Sequence, residues 1–148
     1  MGYRLYVFLR SDLESLTPGK AAAQVAHAAS QAAWQMIDQF SEYTEWANEP
    51  SKEHGDRPHY SGFGTTLVLD AGSFVDTFDI NSIHYPFKLD MSFLQYGVVR
   101  DPTYPLRDGK KTHLIDITTC YWVLEDPKKN TEFGDWVKQF DLYTNNHD

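Results

Sequence analysis

Cysteine is almost absent from this chain: Cys120 stands alone in 148 residues. An internal disulfide is thereby excluded, and a reducing, cytosolic setting fits. Long apolar runs are missing as well; none approaches the roughly 18 residues that a membrane span requires. Met1–Tyr6 has no signal-peptide layout and leads directly into a strand-like pattern, so a cytoplasmic location is expected. Cations are scarce: 13 Lys and Arg face 21 Asp and Glu, a net charge of −8. A protein that grips long nucleic acid chiefly through phosphates carries the opposite balance. A local basic site stays open, because Gly97–Leu114 holds Arg100, Arg107, Lys110 and Lys111 against Asp101 and Asp108 alone. Metal-ligand patterns are also missing. His54, His59 and Asp56 share a loop, and His84 and His113 lie further on, but no helical His pair or cysteine cluster appears. Neither a metal nor a cofactor is expected. There is no internal repeat and no low-complexity segment.

What is present suits a globular fold, with 41% hydrophobic and 15% aromatic residues. The length fits one domain, 1–148, with a full-sized core. Tyr3–Arg10 alternates with aromatics on both faces and reads as a central strand. A helix follows from Pro18 to about Gln39, with a second helical piece over Ser41–Ala47. Asn48–Gly64 reads as a long loop, rich in Gly and Pro. Thr65–Asp70 is a second strand, and Ser73–Ile80 a short helix. Asn81–Asp90 is ambiguous, because Pro86 prevents a long helix. Tyr96–Arg100 is a third strand, broken by Asp101-Pro102-Thr103-Tyr104-Pro105, and Asp108-Gly109 signals a turn. Thr112–Leu124 contains a fourth strand, and Thr131–Tyr143 a final amphipathic helix. The order predicts an α/β fold: one three-layer α/β/α domain with a mixed four-stranded sheet.

The first helix carries the most informative pattern. Thr17 can cap it and Pro18 suits its first position. Wound at about 100° per residue, Lys20, Gln24, His27 and Gln31 fall on one stripe. Ala22, Val25, Ala26, Ala29, Ala33, Met36, Ile37 and Phe40 gather opposite, as the expected core side. A water-facing stripe usually carries Glu and Lys; this one carries one cation, two amides and an imidazole between alanines. A cation beside Gly19 and free N–H groups suits an anion, although the helix dipole there disfavours Lys20 by a few tenths of a kcal/mol. A solvated, capped helix face is the plainer alternative. Sites in open α/β sheets form beyond the carboxyl ends of strands, which points to Asp101 as the facing acid.

Gly19-Lys20-Ala21-Ala22-Ala23-Gln24-Val25-Ala26-His27-Ala28-Ala29, preceded by Arg10-Ser11-Asp12-Leu13, resembles the N-terminal signature of the type II peptidyl-tRNA hydrolases. Val98-Val99-Arg100-Asp101 is similar to that family's strand ending in Arg-Asp, and Thr118-Thr119-Cys120 to its Thr-x-Thr-Cys strand. The resemblance implies an esterase, free of metal, that cleaves the bond between a peptide and the 3′-terminal ribose of tRNA. It implies that Lys20 binds phosphate or stabilises developing negative charge. His27 would orient substrate or a water, Asp101 would help activate the water, and Thr119 would hydrogen-bond within the site. Candidate substrate contacts are Gln24, Gln31, Arg100, Thr103, Asp108, Lys110 and Lys111. Arg107-Asp108-Gly109 is a second partial match to the Arg-Asp motif, so Asp108 competes with Asp101 for the role of acid.

Other chemistries are weaker. Cys120 lies mid-strand and reads as a buried small hydrophobe rather than a nucleophile. Trp122, Trp136, Phe133 and Phe140 could stack bases, but core packing between the last strand and the last helix accounts for them. Two other functions remain open. One is a binding protein on the same fold that holds a nucleotide or phosphorylated ligand; the other is a protein-interaction module. A homodimer is compatible with each, and no membrane partner is expected.

Overall fold

The computed structural model describes residues 2–13, 15–36, 41–53, 62–72 and 95–144. Along the chain they form β1 (Arg4–Arg10), α1 (Pro18–Met36), α2 (Ser41–Glu53), β2 (Thr66–Gly72), β3 (Gln95–Asp108), β4 (Lys111–Glu125) and α3 (Thr131–Val137). The sheet order is β2-β1-β4-β3. β1 runs parallel to β2 and antiparallel to β4, and β3 and β4 are an antiparallel hairpin. The domain is therefore α/β with a mixed four-stranded sheet. The helix expected over Ser73–Ile80 and the ambiguous Asn81–Asp90 lie outside the described residues.

Strand alternation builds a core on each face of the sheet. Leu5, Val7 and Leu9 point with Val99, Cys120, Trp122 and Leu124 toward α1 and α2. Tyr6 and Phe8 point with Tyr121 and Val123 toward α3, where Phe133 and Val137 meet them. Edge-to-face ring pairs tie that side together, Tyr6 on Phe133 at 5.1 Å and Phe8 on Phe140 at 5.2 Å between centroids. Trp122 is not part of this packing. Its place in the alternation sends it to the α1 face, so the aromatic set expected between the last strand and last helix is split between the two cores. No helix among the described residues is long and apolar enough to cross a membrane.

Four sequence expectations need correction. First, α2 continues through residues 48–53, where a loop was expected. Pro50 cannot donate to the carbonyl of Trp46, but Trp46 itself holds the helix, buried and donating from Nε1 to Thr65 O at 2.8 Å. Gly64 crosses directly over that carbonyl, where a Cβ would lie 2.1 Å from Trp46 O. The rest of the expected loop, residues 54–61, lies outside the described residues.

Second, β3 does not stop at Asp101; it runs on to Asp108. Among the described residues β3 pairs only with β4, and an edge strand tolerates Pro102 and Pro105. A bulge absorbs Pro102 and Thr103, since Asp101 pairs with Ile117 and Tyr104 with Ile115. Third, the last helix ends at Val137 rather than near Tyr143. Beyond it the chain turns and pairs with the outer edge of β2, through Asp70 N to Asp141 O at 2.9 Å and Tyr143 N to Val68 O at 2.8 Å. The demand of an open strand edge outweighs helical periodicity here.

Fourth, the core side of α1 is rotated from the expected one. Ala21, Gln24, Ala28, Ala32 and Met36 are buried, whereas Ala22 and Ala26 are exposed. Alanines are weak guides to a helix's inner face. What turns α1 is the set of polar partners that the β3–β4 hairpin offers to Lys20, Gln24 and Gln31. The helix is described to Met36; the remainder of its expected length lies outside the described residues.

Candidate functional site

The polar stripe of α1 is a seam. Helix and β3 run antiparallel along it, and three side chains stitch them together. Gln31 Nε2 donates to Val98 O at 3.0 Å, Gln24 Nε2 to Asp101 Oδ2 at 2.7 Å, and Lys20 Nζ to Pro105 O at 2.7 Å. Each step down the helix toward its N-terminus meets a step up the strand. Gln31 also accepts from Trp122 Nε1 at 2.8 Å, so its amide is engaged by the sheet rather than presented to a ligand.

Gln24 is the hub. It is 3% exposed, and its Oε1 accepts a 2.5 Å hydrogen bond from Thr119 Oγ1. A hydroxyl on one end and a carboxylate on the other leave the amide one sensible orientation. Thr119 reaches this position because β4 bulges there: Val99 pairs with Cys120 and Arg100 with Thr118, leaving Thr119 as the extra residue. Thr119 is fully buried and touches the site only through Gln24.

Asp101 is the centre of the exposed part. Its side chain is 11% exposed, and Oδ2 lies 4.0 Å from His27 Nε2, whose side chain is 55% exposed. Oδ1 accepts from Thr103 N at 2.9 Å, a turn made by the bulge, and from the Thr103 hydroxyl. Burial pushes the Asp101 pKa up, but hydrogen bonds from Gln24 and the Thr103 amide, with the nearby His27, outweigh it and hold the carboxyl below its ordinary value. Asp101 is therefore ionised at neutral pH. So held, it is better suited to orient a donor than to take a proton.

Lys20 sits where the helix meets the hairpin, 5.6 Å above the ring of buried Tyr104 as well as on Pro105 O. One of three ammonium donors is used by that carbonyl. Nearby, Ser15 Oγ accepts from Arg107 N at 2.9 Å and ties the approach to α1 onto the same hairpin.

The other expected contacts are elsewhere. Arg100 pairs in the open with Asp116, at 2.7 Å. Asp108 lies at the hairpin tip, its side chain 79% exposed and 3.6 Å from His113. Lys110 and Lys111 are exposed at the same tip, where Gly109 turns the chain at φ 58°. The hairpin tip, not the α1 seam, is thus the position of the second Arg-Asp motif. Cys120 is buried, with its thiol pushed up to about 12 by desolvation, which removes it as a nucleophile. His54, His59, Asp56 and His84 lie outside the described residues, among which no group of metal-ligating side chains occurs. Tyr104 and Ser15 were not singled out from the sequence. The signal for Tyr104, an aromatic between two prolines, becomes readable only once the strand is known to continue.

This polar seam begins on a segment that can be compared with known proteins. The family model of the peptidyl-tRNA hydrolase PTH2 matches residues 3–54, from β1 through α2. The matched stretch is about a third of the chain, and over it the chain is similar to that family. The match contains Lys20, Gln24, His27 and Gln31; Asp101 and Thr119 fall beyond it and join the seam through the fold alone. No match among curated proteins was found.

Proposed function

We propose that this protein hydrolyses the ester bond of peptidyl-tRNA at the seam of α1 and β3. The observation that supports this best is the convergence of Asp101, His27 and the buried Gln24 on one edge of the sheet, beside the Lys20 ammonium.

Ester hydrolysis needs an oriented water, a proton acceptor and stabilisation of the negative oxygen that forms. The 4.0 Å gap between His27 Nε2 and Asp101 Oδ2 is too long for a direct hydrogen bond and suits a water that touches both. In the proposed reaction that water attacks the ester carbonyl and passes a proton to the His27 imidazole. Asp101, ionised throughout, stabilises the imidazolium and keeps the water in line. Lys20 offers its remaining donors to the tetrahedral oxyanion or to the phosphate next to the 3′-terminal ribose. His27 then returns the proton to the departing ribose oxygen. Gln24 and Thr119 do not meet substrate; they fix Asp101. Every step uses side chains of this chain, and the cytoplasm is where the substrate would be met.

The test is release of peptide from N-blocked peptidyl-tRNA by purified protein, with and without a chelator. Turnover that the chelator leaves intact, and that falls by about 10²-fold or more in His27→Ala, is expected. An inert wild-type protein, in conditions where a control hydrolase works, contradicts the proposal. A ligand-holding role without chemistry is then the surviving reading.

A further inference from the structure

Trp34 is 87% exposed on α1, the largest exposure of any bulky apolar side chain among the described residues. The tryptophans described elsewhere are enclosed or packed: Trp122 and Trp46 are 1% and 4% exposed, and Trp136 packs on Phe8 and Phe133. Trp34 lies seven residues beyond His27. That is two helical turns less about 20°, so both share a flank of the helix, roughly 10 Å apart along its axis. Between them on that side lie Ser30, small and exposed, and Gln31, whose amide is turned to Val98 and Trp122.

Charge gives this surface a direction. From Ala21 to Met36 the helix carries no ionisable group other than His27. The cations sit at the other end of the seam, at Lys20 and at the hairpin tip with Arg107, Lys110 and Lys111. Among the described residues Arg100, beside Asp101, is taken by Asp116, so a phosphate chain leaving the His27–Asp101 position finds its partners toward that end. The other half of the ester must leave along α1, over an uncharged surface that ends on an exposed indole.

We infer that the surface from His27 to Trp34 receives the peptide half of the ester, and that Trp34 is a specificity-determining residue for an apolar or aromatic peptide side chain. The inference rests on the hydrolase reading of the site. An extended peptide advances about 3.3–3.6 Å per residue, so the 10 Å from His27 to Trp34 corresponds to about three residues. Trp34 therefore meets the third residue from the ester and not the first. Contact with a bound peptide acts alike in the ground state and the transition state, so it appears in KM and leaves kcat unchanged.

The experiment compares wild-type protein with Trp34→Ala and Trp34→Phe on two sets of substrates. One is N-acetyl-aminoacyl-tRNA; the other is N-acetyl-tripeptidyl-tRNA with Phe, Gly or Asp at the third residue from the ester. Trp34→Ala is expected to raise KM about 2- to 12-fold for the Phe tripeptide. The single-residue substrates keep their KM, and Trp34→Phe restores most of the preference. A non-hydrolysable 3′-amide of the Phe tripeptide on adenosine is expected to shield Trp34 fluorescence from iodide. Equal effects at every peptide length overturn the inference. So does equal shielding by the trinucleotide CCA without peptide, which assigns the surface to the nucleic acid, or shielding that rises with protein concentration alone, which assigns it to a second copy of the chain. Shielding by the tripeptide amide in a protein that turns over no substrate keeps the surface assignment and removes the hydrolase reading.

Discussion

Replacing Thr119 with Val deletes one hydroxyl and keeps the shape. Thr119 is fully buried, and its hydroxyl is the donor to Gln24 Oε1 at 2.5 Å. Gln24 is itself 3% exposed, so water cannot readily replace that donor. Leaving a buried amide oxygen without it costs about 1–3 kcal/mol. For a domain of this size each kcal/mol lowers Tm by about 2–4 °C, so a fall of roughly 2–12 °C is expected by calorimetry. A second effect follows from geometry. The amide, no longer pinned by Thr119, holds Asp101 less firmly, and the Gln24 hydrogen bond is one of the causes of that residue's low pKa. The Asp101 pKa then moves up toward its ordinary value. Because its folded pKa is depressed, Asp101 adds stability above the ordinary carboxylate pKa, and that stability is lost as pH falls through the depressed value. The variant therefore loses most at neutral pH, and in acid the gap to wild type narrows to the cost of the unpaired Gln24 amide. The rate falls as well, because Asp101 holds the water and the imidazolium less firmly. Thr119→Ser, which keeps the hydroxyl, restores both properties. A Thr119→Val protein with unchanged Tm and unchanged kcat/KM refutes the relay from Thr119 through Gln24 to Asp101.

Other consequences are simpler to state. Lys20→Met keeps the aliphatic stem over Tyr104 and removes the charge; kcat/KM on peptidyl-tRNA should fall about 10²-fold. Cys120 is buried with a thiol pushed up to about 12, so Cys120→Ala should keep its rate, and the native thiol should react with a chromogenic disulfide only on unfolding. Burial raises the Glu125 pKa, with Asp126 and Glu42 adding to it against hydrogen bonds from the Asp126 amide and Asn130. Its stabilising contribution is full below the ordinary glutamate pKa and is lost as pH rises through the raised value, so Glu125→Gln should raise Tm at neutral pH and not in acid.

The sheet was readable because its strands announce themselves. Tyr3–Arg10 has aromatics on both faces, as a strand between two cores must. The split of β4 between those cores was not readable from aromatic content, since Tyr121 and Trp122 look alike until pairing assigns each a face. The site was legible in part. Lys20, Gln24, His27 and Gln31 were placed on one stripe by helical spacing alone, but spacing does not say what a stripe faces. An alanine-rich background blurs the inner face of a helix: Met36, Val25 and Ala29 do meet the core, but Ala22 and Ala26 do not, and the buried line runs instead through Ala21, Gln24, Ala28 and Ala32. Prolines misled in both directions. Pro50 was read as loop and lies in α2; Pro102 and Pro105 were read as the end of a strand and lie within β3. In each case tertiary contacts, Trp46 on Thr65 or β4 beside an edge strand, outweigh the local preference. Once β3 is known to continue past Asp101, the competition between Asp101 and Asp108 becomes a matter of geometry: one meets α1 and the other lies at the hairpin tip.

That geometry can be tested by measuring kcat/KM on one peptidyl-tRNA for Asp101→Asn and Asp108→Asn beside wild type. Asp101→Asn should lose about 10²- to 10⁴-fold with its fold intact, as expected when the carboxylate that orients a catalytic base is neutralised. Asp108→Asn, exposed at the hairpin tip, should stay close to the wild-type value. A large loss in Asp108→Asn with Asp101→Asn still active would contradict the assignment of the site to the seam between α1 and β3.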